Sequence, residues 1–238
     1  MAKKKRVSRK QLLKKPDEFL TFSAKAIRFI TNNQKPVFGA VIGVVVVALG
    51  FAAFRYYSNL SERTAYAMFE QGRLHYLAEI SGDKAASAQE KATERFEKVI
   101  RKYPSTNAAR FTLLLYADMS YHKGDYQKAI ELYQKALGAF SGEHAIQKLI
   151  WGGLAYAYEA KKDYKSAAEY LQRITETQDE FMKADACYNL GRIMEALNHQ
   201  EKALDAYDKV AQAYPDSVGF QIAKEKVLRL KGASVPSE

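Results

Sequence analysis

The stretch DYQKAIELYQKALGAF, residues 125–140, decides the fold. Read as a helix, it places Ala129, Tyr133 and Ala136 on one face at spacings of four and three, the period of an α-helix and not of a strand. The same signature of a small residue, a large one four later and an apolar one three after that returns three times. It is Ala92, Phe96, Val99 in KATERFEKVIRKYPS; Ala167, Leu171, Ile174 in DYKSAAEYLQRITE; and Ala203, Tyr207, Val210 in HQEKALDAYDKVAQAYPDS. Successive alanines lie 37, 38 and 36 residues apart. A period of this size predicts stacked helical hairpins, each too small to bury its own apolar face and each covering its neighbour.

The physical roles follow from size. Ala or Gly lets the two helices of a hairpin approach, the larger side chain fills the gap to the next hairpin, and Pro104 and Pro215 stop a second helix. KGDY at Lys123 supplies a turn between helices. SVGFQIAKEKVLRLKG, from Ser217, reads as a final capping helix with Lys226 and Arg229 near its C-terminal end.

With these residues in place the chain resembles the tetratricopeptide repeat family, whose pattern runs W-x2-L-G-x2-Y, A-x3-F, P. The third unit carries Trp151, Leu154, Ala155 and Tyr158 in its first helix. The fourth keeps Leu190 and Gly191, with Cys187 for Trp and Met194 for Tyr. In the second, Leu113, Tyr116 and Ala117 stand in. The first unit is degenerate, and ISGDKAASAQEK lengthens its turn.

Ahead of the repeats lies KPVFGAVIGVVVVALGFAAFRYY, starting at Lys35, with no charge between Lys35 and Arg55. Its apolar part, residues 37–54, would make a helix of about 27 Å against a bilayer core of roughly 30 Å. The large apolar residues favour insertion by roughly 3–7 kcal/mol. In lipid every backbone group must be bonded within the segment, so the run is expected to be a transmembrane helix. A cleaved signal peptide is the competing reading, because small residues stand near the end of the run. The 35 residues in front and the length of the run count against it. Tyr56 and Tyr57 fall where aromatic rings favour the lipid boundary. PDEFLTFSAKAIRFITNN, from Pro16, reads as a short amphipathic helix with Phe19, Phe22, Ala26, Phe29 and Ile30 on one side, lying on the inner leaflet. Gly39 and Gly43 form a G-x-x-x-G pair that would admit a second helix, so a homodimer is one expectation.

The net charge of +10 is concentrated at the start. Residues 1–35 carry eleven Lys and Arg against Asp17 and Glu18, which leaves about +1 on the rest. The main domain therefore has no electrostatic footprint for a polyanion, and nucleic acid is not an expected partner. The basic run KKKRV at Lys3 resembles a nuclear import signal, but a basic segment before a span sets topology and meets anionic lipid. The N-terminus is expected in the cytoplasm and the C-terminal domain outside it.

The expected organisation is all-α: a basic cytoplasmic tail with an amphipathic helix (1–35), a transmembrane helix (36–57), an α-solenoid of about four hairpins plus a capping helix (58–231), and a disordered tail (232–238). One cysteine, Cys187, excludes an internal disulfide and stands at a packing position, as a buried inert thiol would. His75, His122, His144 and His199 are scattered without metal-ligand spacing. No nucleophile elbow or phosphate loop is present, so neither catalysis nor a cofactor is expected. First-helix residues beside the packing positions are the candidates for a concave protein-binding face: Phe111, Asp118, Tyr121, Tyr156, Glu159, Tyr188, Arg192 and Glu195.

Tail, span and repeats together resemble the ancillary subunit family of the bacterial SecYEG translocon, the YfgM type. The resemblance is carried most specifically by ITNNQKPVFGAVIGVVVVALGFAAFRYYSNLSERTAYAMFEQG from Ile30, and covers residues 20 to roughly 210. It implies an inner-membrane protein with periplasmic repeats that passes emerging polypeptides from the translocon to chaperones, touching lipid through residues 16–57. The alternative expectation is a scaffold for another envelope complex, in secretion, pilus or division machinery.

Overall fold

The structure is a computed structural model that describes residues 18–79 and 85–233. The chain divides into two compact units, residues 1–59 and 60–238. Residues 1–17, which hold the expected basic tail and the first two residues of the expected amphipathic helix, residues 80–84, where a lengthened turn is expected, and the end from residue 234 lie outside the described residues.

In the first unit, α1 (Glu18–Asn32) is followed by the start of α2 (Gln34–Glu79). The large apolar residues Phe22, Ile27, Phe29 and Ile30 of α1 are all exposed. Pro36 sits in the first turn of α2, where its missing N–H removes no helical bond. Along residues 38–54 every large apolar side chain is exposed, and none of the run is buried inside the molecule. A soluble core helix would be covered, so this helix, long and apolar enough to cross a membrane, is a candidate span.

The second unit is an α-solenoid. The rest of α2 lays Phe69 and Gly72 against Phe96 of α3 (Ala85–Lys102). Three hairpins follow: α4 (Asn107–His122) with α5 (Tyr126–Ala139), α6 (His144–Ala160) with α7 (Tyr164–Thr175), and α8 (Lys183–Ala196) with α9 (Gln200–Ala213). Then α10 (Phe220–Ala233) packs on α9. From α3 onward each helix packs on the next, and the first helices α4 and α6 also meet. All twelve signature positions are buried, at most 5% exposed. Each large buried side chain among them is worth about 1.5–3 kcal/mol.

Glycine marks where helices touch. A Cβ on Gly72 of α2 would lie 2.5 Å from the Phe96 ring, and one on Gly191 of α8 would lie 2.6 Å from Tyr207. Gly72 thus gives the degenerate first hairpin the same helix-to-ring contact as the fourth. The turns repeat as well. Gly124, Lys162 and Asn198 all have positive φ, at +86°, +63° and +58°. The next N–H in each turn reaches back to Ser120, Tyr158 or Met194 at 2.9 Å, the Schellman closure of a helix end. Asp125 and Asp163 then cap α5 and α7 by accepting the N–H groups of Lys128 and Ser166 at 3.1 Å. The start of α4 is capped twice: by Thr106, and by Glu62 of α2, whose carboxylate accepts the N–H groups of Asn107 and Ala108 at 2.8 and 2.9 Å.

Candidate protein-binding groove

Between α4 and α6 the solenoid opens a groove of about 570 Å³. Its walls are mostly apolar: Leu114 from α4, Leu149, Ile150 and Tyr156 from α6, and Met182 from the segment before α8. Gly152 and Gly153 form part of the lining, and a Cβ on Gly153 would run into the Tyr133 ring. Leu149 and Tyr156 are 51% and 40% exposed, an apolar surface that a packed hairpin would hide.

Asp118 carries the one carboxylate of the groove lining, which holds no Lys or Arg. Its carboxylate opens to the groove and accepts a hydrogen bond from the Tyr133 hydroxyl. The protein crowded around it displaces water and raises its pKa, against the lowering influence of Tyr133 and His122. Burial, followed by the charge of Asp118, raises the pKa of Tyr133 in turn, so the phenol keeps its proton and remains the donor.

Of the eight residues expected on the binding face, the groove brings together Asp118, Tyr121 and Tyr156. Phe111 is exposed but packs edge-on against Phe140 at 5.5 Å. Glu159 and Arg192 pair with each other at 2.7 Å, and Arg192 also donates to Asn189 at 2.7 Å. Asn189 donates to the Tyr156 hydroxyl at 3.2 Å, so a polar strip joins α6 to α8 beside the groove. Tyr188 packs near Tyr207 and against Gly219. Glu195 accepts from the Tyr207 hydroxyl at 2.7 Å, from Lys226 at 2.6 Å and from Arg229, tying α10 to the last hairpin. Burial would raise the pKa of Glu195, but these donors and the two cations outweigh it and lower the pKa.

Leu114, Leu149, Ile150 and Met182 line the groove but escape the sequence reading. The neighbouring glycines Gly152 and Gly153 were the available signal, because two glycines inside a helix are costly unless something approaches closely. A second hollow of about 450 Å³ lies among α7, α8 and α9, with Lys183, Lys202 and Lys209 facing Glu176 and Asp205. Cys187 also lines it, is 4% exposed, and has its thiol pKa raised by burial, as befits a packing residue.

Comparison with known proteins agrees with this architecture. A family model described as a tetratricopeptide repeat-like domain matches residues 28–235. Among solved structures, a tetratricopeptide repeat protein from Parabacteroides merdae aligns with TM-score 0.54 at 17% identity, over 69% of this chain and 61% of that one. A Podosopora anserina putative kinesin light chain with TPR-like repeats gives TM-score 0.54 at 17% identity, over 71% and 87%. The MamA protein gives 0.51 at 23% identity, over 68% and 84%. At these identities the likeness concerns the fold alone. A search of curated proteins finds no match. A helical-hairpin solenoid of this kind is a protein-interaction scaffold, and on the extent of the family match the chain belongs to the tetratricopeptide repeat-like domain family.

Proposed function

We propose that this protein is held in the bacterial inner membrane by α2, with its N-terminus in the cytoplasm, and uses its periplasmic repeats to bind other polypeptides. The observation that carries the reading is the apolar groove between α4 and α6, open to solvent, in a chain that also holds a candidate span. An exposed apolar wall with one acidic group suits extended chains that present side chains instead of a finished surface.

In this reading the protein is an ancillary factor of the translocon that receives emerging polypeptides and passes them to chaperones. Lipid is met by α1 and the span. Gly39 and Gly43 offer a contact for a second copy: a Cβ on either would meet nothing within 4 Å among the described residues, so no packing described there accounts for them. The experiment is crosslinking in living cells, followed by purification of the full-length chain from membranes. Translocon subunits and a spread of unfolded secretory polypeptides are the expected adducts. A single folded envelope protein recovered in their place would make the chain a scaffold and overturn the reading.

A further inference from the structure

The strap of residues 176–182 between α7 and α8 is anchored by a residue that ought to be on the surface. Lys148 of α6 is 1% exposed. Its ammonium donates to the Asp179 carboxylate, to the Asp179 carbonyl at 3.2 Å and to the Phe181 carbonyl at 3.2 Å. Three donors meet three acceptors, the condition under which a buried ammonium is tolerated. Asp179 is itself exposed, and Lys148 holds its pKa below the usual carboxylate range. Asp179 also accepts the Phe181 N–H at 3.1 Å, so the strap is fixed from both sides of its bend.

The strap ends at Met182, a non-glycine residue with φ +64°, a left-handed conformation that persists only where the surroundings enforce it. That conformation delivers the Met182 side chain into the groove: a Cβ on Gly152 would lie 3.1 Å from Met182 Cε. Phe181 beside it is 49% exposed. Methionine adapts its shape to what lies against it. Across the groove stands Asp118, which no Lys or Arg pairs among the described residues, His122 being the one basic side chain in the same lining.

We propose that Lys148 is the positioning residue of the groove. It holds the strap so that Met182, with Leu149 and Tyr156, receives a large apolar side chain, while Asp118 receives the cation of a neighbouring Lys or Arg. The ligand is therefore an extended polypeptide segment in which apolar and basic residues adjoin. This rests on the reading that the repeats bind polypeptides, and names the class they select.

The test uses the full-length chain in nanodiscs and three fluorescent synthetic peptides of equal length: Leu/Arg, Leu/Glu and Ser/Arg. Anisotropy should rank Leu/Arg first, with the other two weaker by about tenfold or more. Asp118→Asn should remove the preference for Arg over Glu and keep that for Leu over Ser. Lys148→Met should do the reverse, with Lys148→Arg retaining most of the Leu preference. A general loss of structure would weaken both preferences alike, so the two ratios separate positioning from folding. Should Lys148→Met fail to fold, Met182→Ala leaves the buried ammonium intact and should cost the Leu preference by itself. Equal binding of Leu/Arg and Leu/Glu, or unchanged Leu preference in folded Lys148→Met and in Met182→Ala, overturns the proposal. If the wild type binds none of the three peptides, the polypeptide-binding reading itself falls.

Discussion

Tyr207 of α9 lies so close to Gly191 of α8 that a methyl group added at Gly191 would come within 2.6 Å of the ring. The contact brings the two helices of the last hairpin together. On an open helix face, Gly→Ala gains about 0.5–1 kcal/mol, but here the ring cannot retreat from the core. Gly191→Ala is expected to destabilise by about 1–3 kcal/mol, whereas Gly138→Ala, where a Cβ meets nothing, should stabilise slightly. Urea unfolding of the two variants gives the comparison.

The hairpin turns offer a second contrast. Gly124 and Lys162 occupy equivalent left-handed positions, and only glycine does so without steric cost. Lys162→Gly should raise stability by about 0.5–1 kcal/mol, and Gly124→Ala should lower it by about 1 kcal/mol. Thermal melts followed by circular dichroism read both shifts.

Glu195 gathers Tyr207, Lys226 and Arg229, and through the last two it anchors the capping helix. Glu195→Ala should loosen α10 at a cost of about 1–3 kcal/mol. Because the native pKa lies below the ordinary glutamate value, this stabilisation is present above that value and lost as pH falls through the native one. Faster amide exchange in α10 at acid pH, matched by the variant at neutral pH, is the expected outcome.

At alkaline pH the sign reverses. Burial, and then the Glu180 carboxylate that accepts its hydrogen bond, push the Tyr214 hydroxyl up to about 12. Burial and acidic partners likewise raise Tyr116, Tyr133 and Tyr207. The unfolded chain ionises first, at the ordinary tyrosine pKa of about 10, so stability contributed by these groups is complete below that value and declines as pH rises above it. Near-UV absorbance should show these phenols ionising together with unfolding instead of before it.

How much of this was legible in the sequence varies with the range of the interaction. The helix phases were, since Ala129, Tyr133 and Ala136 define a buried face by local spacing alone, and all three are buried. The first hairpin was obscured because Gly72 lies at the far end of a 46-residue helix that begins with the apolar run. Within the groove, Asp118, Tyr121 and Tyr156 come from the helix faces the pattern points to. Met182 could not be found that way, because a buried Lys148 on another hairpin sets its place. Arg192 and Glu195 fit the pattern too, but partners on other helices claim them.

Two substitutions probe the candidate span. Val44→Asp together with Val47→Asp would add roughly 5–7 kcal/mol to insertion, enough to offset the estimated gain of the whole run. The doubly substituted chain should appear in the soluble fraction after alkaline carbonate extraction, while the wild type stays with the membrane.

Protease treatment of spheroplasts, read with antibodies to the two ends of the chain, tests the proposed periplasmic placement of the repeats most directly. That placement predicts that protease added to intact spheroplasts digests the repeats and leaves a protected N-terminal fragment. Repeats that resist until the inner membrane is opened would contradict it.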